Sequence, residues 1–323
     1  MRKISRRIAK AAGSRWSVKR LAWTGALILF LIIFWLSLPS PLFDDPYATV
    51  VYDRHGRMLG ARIASDGQWR FPPVDSVPDK FETCLLQYED RHFYQHPGFN
   101  PVSLGKAFIR NIKARKIVSG GSTLTMQTIR LSRKGKARTV GEKLVEIWLA
   151  FRLEVAFSKH SILGMYASHA PFGGNTVGLG AASWRYFGRP PGELSWAEAA
   201  VLAVLPNAPS AIHPGKNRDL LFEKRNRLLK SLKDIGIIDE ITCELSCDEP
   251  LPISPLPLPD LAPHLVGRIF REMPGQQYFS SVDAGLQVKV NETGRRNQQM
   301  LMANKVFNAA ILVLDLKTRE ILA

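Results

Sequence analysis

The strongest pattern along the chain is an apolar run at residues 21–38, LAWTGALILFLIIFWLSL. It holds 18 residues without a charge, about 27 Å as a helix at ~1.5 Å per residue, just enough for a bilayer core. Trp23 and Trp35 lie near its ends, where interface aromatics sit. Residues 48–71 then alternate apolar and polar, with turns at His55-Gly56 and Asp66-Gly67, which predicts short strands. From residue 78 the period becomes helical. Residues 101–115 repeat Leu104, Phe108 and Ile112 with basic residues on the other face. A helix capped by Ser122 is expected over 122–131. Residues 140–156 line up Leu144, Ile147, Trp148, Phe151 and Val155. Further helices are expected from 158, over 178–186, 195–205 and 217–236. The body from about 75 to 240 is therefore read as nearly all α. Residues 248–263, DEPLPISPLPLPDLAP, read as an extended linker. FSSVDAGLQVKV and AAILVLDLKTREILA beyond it carry strand character, the second with a turn near 317–319.

Charge turns the apolar run into a topology. The chain has 323 residues and a formal net charge of +16. Eight basic residues and no acid fall within 1–20. The positive-inside rule then makes 1–20 a cytoplasmic tail, 21–38 a single transmembrane helix, and places the rest outside. A cleaved signal peptide is the rival. The run is long for one, and no A-x-A site follows. A second basic block, residues 91–141, holds eleven Lys/Arg and no acid. What remains is slightly acidic, which argues against nucleic acid as a partner. Three cysteines form neither a disulfide framework nor a four-ligand zinc set. Cys243 and Cys247, spaced i, i+4, could pair or simply be core residues.

The candidate chemistry begins with Glu89 and Asp90 in YEDRHFYQHPG. Adjacent helical residues point about 100° apart, so one carboxylate works while the other caps or pairs. Tyr88, Phe93 and Tyr94 can dry the site and raise a carboxyl into the range useful for a base or acid. His92 and His96 have a metal-like spacing without further ligands, so they read as polar structure. SGGSTLTMQ supplies glycines, a helix N-terminus and four hydroxyls, suited to a phosphate or diphosphate. Glu142, Lys143 and Glu146 share a helix face. They are either a salt-bridge ladder or the source of a second active-site carboxylate.

Together these runs resemble the peptidoglycan glycosyltransferase domain of class A, bifunctional penicillin-binding proteins, most of all the 1C subtype. EDRHFYQHPG, GGSTLTMQ, KLVE, APFGGNTVGLGAASWRYFGR and LAVLPNAPSAIHP are similar to its five ordered motifs. The resemblance implies a mainly α, lysozyme-like bilobed domain behind a single N-terminal transmembrane helix, with the glycosyltransferase domain over 45–245. It implies polymerisation of lipid II with inversion at the sugar and release of polyprenyl diphosphate. By the same likeness Glu89 is the catalytic base and Glu146 the second carboxylate. Asp90, Phe93, His96, Gly121, Ser122, Thr123, Gln127, Arg130 and Lys143 bind substrate. No cofactor is required, though a divalent cation, magnesium or manganese, could assist the diphosphate. Expected partners are lipid II, the growing strand, the inner membrane and other cell-wall synthesis proteins, with the catalytic domain in the periplasm. Glu142 stands where the family usually has Arg, Ser168 where it has Asn, and Met126 where Gln is common. Residues 264–323 resemble the entry to a penicillin-binding transpeptidase domain that breaks off. The only Ser-x-x-Lys, Ser103 to Lys106, falls in a glycosyltransferase helix, so no transpeptidase activity is expected. The rivals are a non-catalytic membrane-anchored scaffold and a lysozyme-like glycan hydrolase.

Overall fold

The computed structural model describes residues 2–73, 76–114, 121–134, 136, 139–207 and 214–323. Helix α1 (Arg2–Leu36) runs for 35 residues and ends two residues before the expected limit of the apolar run. The basic tail continues the same helix, as its Ala, Arg and Lys content favours. Its apolar window, Lys19–Leu36, has a mean hydropathy of 1.7 and none of it is buried. Among the described residues it is the one helix long and apolar enough to cross a membrane.

Strands β1 (Thr49–Tyr52) and β2 (Met58–Arg62) form the expected hairpin, with Val50 opposite Ala61. Gly56 takes the left-handed turn conformation, at φ 81°. Strand β3 (Trp69–Arg70) leaves for a second small sheet. Helix α2 (Asp79–Glu89) carries the first carboxylate on its last residue. Next come α3 (Pro101–Ala114), α4 (Leu124–Ser132), α5 (Val140–Ala156) and α6 (Lys159–His169). Strands β4 (Pro171–Gly173) and β5 (Thr176–Val177) extend the second sheet in the order β3-β5-β4. Then follow α7 (Leu179–Phe187), α8 (Trp196–Val204), α9 (Arg218–Asp234) and α10 (Glu240–Asp248). Helix α8 is buried on nearly every side and packs against α2 and α9, which makes it the centre of the body. Phe81, Leu85, Leu124, Ile129, Leu153, Tyr166 and Phe172 belong to the same core. The protein is thus mainly α, as its periodicity indicates.

Four local expectations change. The cap of α4 is Thr123, not Ser122: Thr123 Oγ1 accepts from the Met126 amide at 3.2 Å and donates to the Gly98 carbonyl at 2.6 Å. Ile112, assigned to the buried face of α3, is 60% exposed, as are Val102 and Ile109 nearby. The stretch read as a strand near 284–290 starts helix α12 (Ala284–Ala303), because Asp283 caps it through the Leu286 amide. The proline-rich stretch has no regular structure but is tied down. Arg218 donates to the carbonyls of Leu251 and Pro252, and the Leu261 amide donates to Leu59. Helix α11 (Pro263–Glu272) and strand β6 (Gln277–Phe279) then return to the N-terminal hairpin, where β6 pairs parallel to β1. Val51, Leu59, Val266, Ile269 and Val282 form a small core there. The final stretch turns back on itself, Leu314 opposite Ile321.

Candidate active site

Glu89 ends α2, so its side chain leaves the helix where α4 approaches. The carboxylate is half-buried. Oε2 accepts from Gln127 Nε2 at 2.8 Å, and Oε1 accepts from Asn207 Nδ2 at 3.2 Å. Burial pushes its carboxyl above the ordinary 4.5, while Gln127, Asn207 and the charge of Lys224 pull the other way. Tyr88 and Tyr166 both feel its charge: burial first, then Glu89, raises each phenol. The Tyr166 ring is fully buried, and its hydroxyl has no hydrogen-bond partner among the described residues.

Glu146 sits nearly two turns into α5 and is buried. Arg130 reaches it from α4 with two bonds, Nε to Oε1 at 2.6 Å and Nη2 to Oε2 at 2.8 Å. Lys143 Nζ adds a third to Oε2 at 3.1 Å. Burial alone would raise this carboxyl; Arg130 and Lys143 outweigh it and hold it below the usual range. Arg130 and Lys143 also meet at the Ser122 hydroxyl. Arg130 further feels the charge of Glu89. One guanidinium therefore links the two acids, which their surroundings drive in opposite directions.

The remaining sequence-assigned residues brace this centre from behind. Asp90 caps the end of α2 and is buried. Its carboxylate meets His96 Nε2 at 3.0 Å and accepts the Leu124 amide at 3.0 Å, which fixes the start of α4. Phe93 is a core side chain under the Lys159 ammonium. The pair at Glu89-Asp90 thus divides as the helix angle requires: one acid faces the site and the other holds structure. Gly121 lies so close to α3 that a Cβ would come within 2.8 Å of the Leu104 Cα. Tyr94 does not help dry the site; it is exposed and donates to Glu82. Nor does the basic block form one groove. Arg133 binds Glu142, Lys134 binds Asp45, and Lys106, Arg110 and Lys113 face solvent. Arg115, Lys116 and Arg138 lie outside the described residues. Asn207, Lys224 and Tyr166 were missed as contributors around Glu89. Asn207 belongs to the LPNAPSAIHP run, so its motif was visible though its contact was not.

A divalent cation at Glu146 would have to displace Arg130 and Lys143 from both carboxylate oxygens. Among the described residues no group of three His, Cys, Asp or Glu could hold one. The described residues around Glu146 therefore do not fit a metal. Cys243 and Cys247 are free thiols on α10.

A mainly α body thus brings a raised and a lowered carboxylate to one arginine. Residues 55–233 match the family model described as Transglycosylase, and the chain belongs to that family. It is 38% identical over 255 residues to penicillin-binding protein 1C of Escherichia coli, covering 79% of this chain and 33% of that protein. It is 34% identical over 231 residues to penicillin-binding protein 1A of Aquifex aeolicus, covering 70% and 32%. The chain thus spans about a third of the length of these relatives.

Proposed function

We propose that the chain is a peptidoglycan glycosyltransferase that polymerises lipid II with inversion at the anomeric carbon. One observation carries this reading. A proton-hungry acid, Glu89, stands near a cationic pair, Arg130 and Lys143, that a single carboxylate leaves net positive. Glu89 takes the proton of the acceptor sugar's 4-hydroxyl. The hydroxyl oxygen forms a bond to the donor's anomeric carbon as the bond from that carbon to the diphosphate oxygen breaks. The leaving polyprenyl diphosphate takes the electron pair, and its charge is met by Arg130, Lys143 and the Ser122 hydroxyl. Glu146 holds the two cations in register. Gln127 and Asn207 orient the Glu89 carboxylate, and Asp90, His96 and Thr123 hold the helix that carries Gln127 and Arg130. Membrane anchoring through α1, with the N-terminus in the cytoplasm and the body in the periplasm of an inner-membrane protein, keeps the site beside a lipid-linked substrate. The exposed Val102, Ile109 and Ile112 on a basic helix support contact with that surface. The test is polymerisation of fluorescent lipid II by purified chain in vesicles, with and without moenomycin. Moenomycin-sensitive glycan strands are expected. Disaccharide fragments cut from preformed strands, with no polymer, would instead indicate a hydrolase.

A further inference from the structure

A second concave site lies at the foot of α1, formed by different residues from the candidate active site. It is a cavity of about 590 Å³, within the size range of small-ligand pockets. Its walls are mostly apolar: Pro41 and Leu42 from the segment leaving α1, Phe157 after α5, and Met165 and Gly164 on α6. One cation, Arg152, sits among them and is 6% exposed. Its Nη2 donates to the Trp35 carbonyl at 3.2 Å, and the guanidinium lies 4.4 Å from the Trp35 ring centre. Its Nε and Nη1 have no hydrogen-bond partner among the described residues and almost no surface of their own open to the cavity. A buried guanidinium with two unmatched donors is costly unless an anion meets them. Two histidines also line the cavity, His160 at the exposed rim and His169, which is already engaged. It bonds the Met165 carbonyl and Tyr47 Oη and stacks on Phe43.

We infer that this cavity takes a monoanionic glycerophospholipid, one acyl chain along the apolar wall and its phosphate drawing the Arg152 guanidinium off the Trp35 ring so that Nε and Nη1 meet it. Two features select this class. The apolar window of α1 ends at Leu36, and the cavity is lined from residue 38 onward, at the depth where headgroups lie if α1 spans the bilayer. A single guanidinium matches one phosphodiester charge, whereas a polyprenyl diphosphate brings a larger one. The site ties the body to the bilayer at a second point beyond the helix. The inference rests on the anchor reading of α1 and not on the glycosyl-transfer reading.

The test uses the full chain in detergent, exchanged through phosphatidylglycerol and then delipidated, with retained lipid counted by native mass spectrometry. Wild-type chain should retain one phosphatidylglycerol. Arg152→Gln should weaken retention about 10-fold or more, the size expected for lost charge-assisted bonds. Because Arg152 is buried, Gly164→Leu provides an independent probe. A Cβ at Gly164 meets nothing within 4 Å, so the larger side chain fills the cavity and leaves Arg152 in place. It should abolish retention while the melting midpoint holds or rises. Inorganic phosphate at millimolar level should not displace the lipid. Equal retention by both variants overturns the inference, as does displacement by inorganic phosphate or preferential retention of a polyprenyl diphosphate. Vesicle flotation separates the two readings: variants that float but carry no lipid leave the anchor intact, whereas failure of wild type to float removes the anchor itself.

Discussion

Glu89 is held in a state the folded chain would rather avoid. Burial favours its protonated form, so between the ordinary 4.5 and its raised folded value the native chain binds a proton that the unfolded chain has released. Stability therefore falls as pH rises through that window, and the cost is fully present above the folded value. Glu89→Gln should raise the melting midpoint at pH 7 while cutting lipid II polymerisation by about 10²–10⁴, the usual weight of a general base. Calorimetry and a polymerisation assay on one preparation check both halves; unimpaired polymerisation would remove Glu89 from its role. The rate of wild type should climb with pH along an acid limb centred above 4.5, and that limb should vanish in the variant. Glu146 behaves in the opposite sense. Its lowered carboxyl contributes stability that is present above 4.5 and lost as pH falls through the folded value. Arg130→Ala strips two of its three bonds. A loss of roughly 1–3 kcal/mol in urea unfolding is expected, at the lower end because Arg130 is a third exposed. Both carboxylates were legible as residues, because an acid pair beside aromatics and an acid beside a lysine are local signals. The pairing of Lys143 with Glu146 was legible too, three positions apart, but the distant neighbours of Glu89 were not. Asn207 and Lys224 arrive from more than a hundred positions away, and no spacing rule announces them.

Helix α5 shows why periodicity alone assigned the wrong face. Its apolar residues Leu144 and Val155 are 64% and 54% exposed, while Glu146 and Arg152 are buried. The amphipathic pattern is real but partly inverted. Phe151 and Trp148 meet Phe34 and Phe30 of α1, so the apolar side faces that helix, and Glu146 and Arg152 turn inward. The same helix presses on the first motif. Gly98 has φ +87°, and a Cβ there would come within 2.7 Å of the Ala150 carbonyl. Gly98→Ala should therefore force the motif loop off α5 and cost more than ~1 kcal/mol of backbone strain alone. A lowered urea midpoint with a matching loss of polymerisation is expected. A near-neutral result would mean that the loop can shift freely. Thr123→Ala removes both a helix cap and the bond to the Gly98 carbonyl, and should cost about 1–2 kcal/mol by the same measurement. The cap was misplaced by one residue because Ser122 and Thr123 carry equivalent hydroxyls. Only the bonds distinguish them: Ser122 is taken by Arg130 and Lys143.

At the scale of the whole molecule, the parts after residue 248 are built into the body rather than appended to it. Arg225 is fully buried and donates to the carbonyls of Cys247 and Glu249, and β6 completes the sheet begun by β1. We expect a chain cut after residue 245 to expose the Val51 and Leu59 cluster. Such a piece should melt at a lower temperature and aggregate, and limited proteolysis of the intact chain should not release a stable fragment ending near 245. A soluble, equally stable fragment would refute this. The helical class of the body was plain from its period. The closure was hidden, because strands of three and four residues carry almost no pattern and their pairing lies far apart in the chain.

That pairing has a consequence for the order of events. Ser280 bonds the carbonyl of Tyr52 across 228 positions, so the first strand emerges long before its neighbour exists. During synthesis the N-terminal hairpin must wait, one edge bare, until some two hundred further residues have been made. The long loop closure predicts slow final docking. The helical core can mature before that sheet is complete. In the finished molecule a pull between residues 50 and 280 would load the small sheet, and the catalytic helices would be spared the strain.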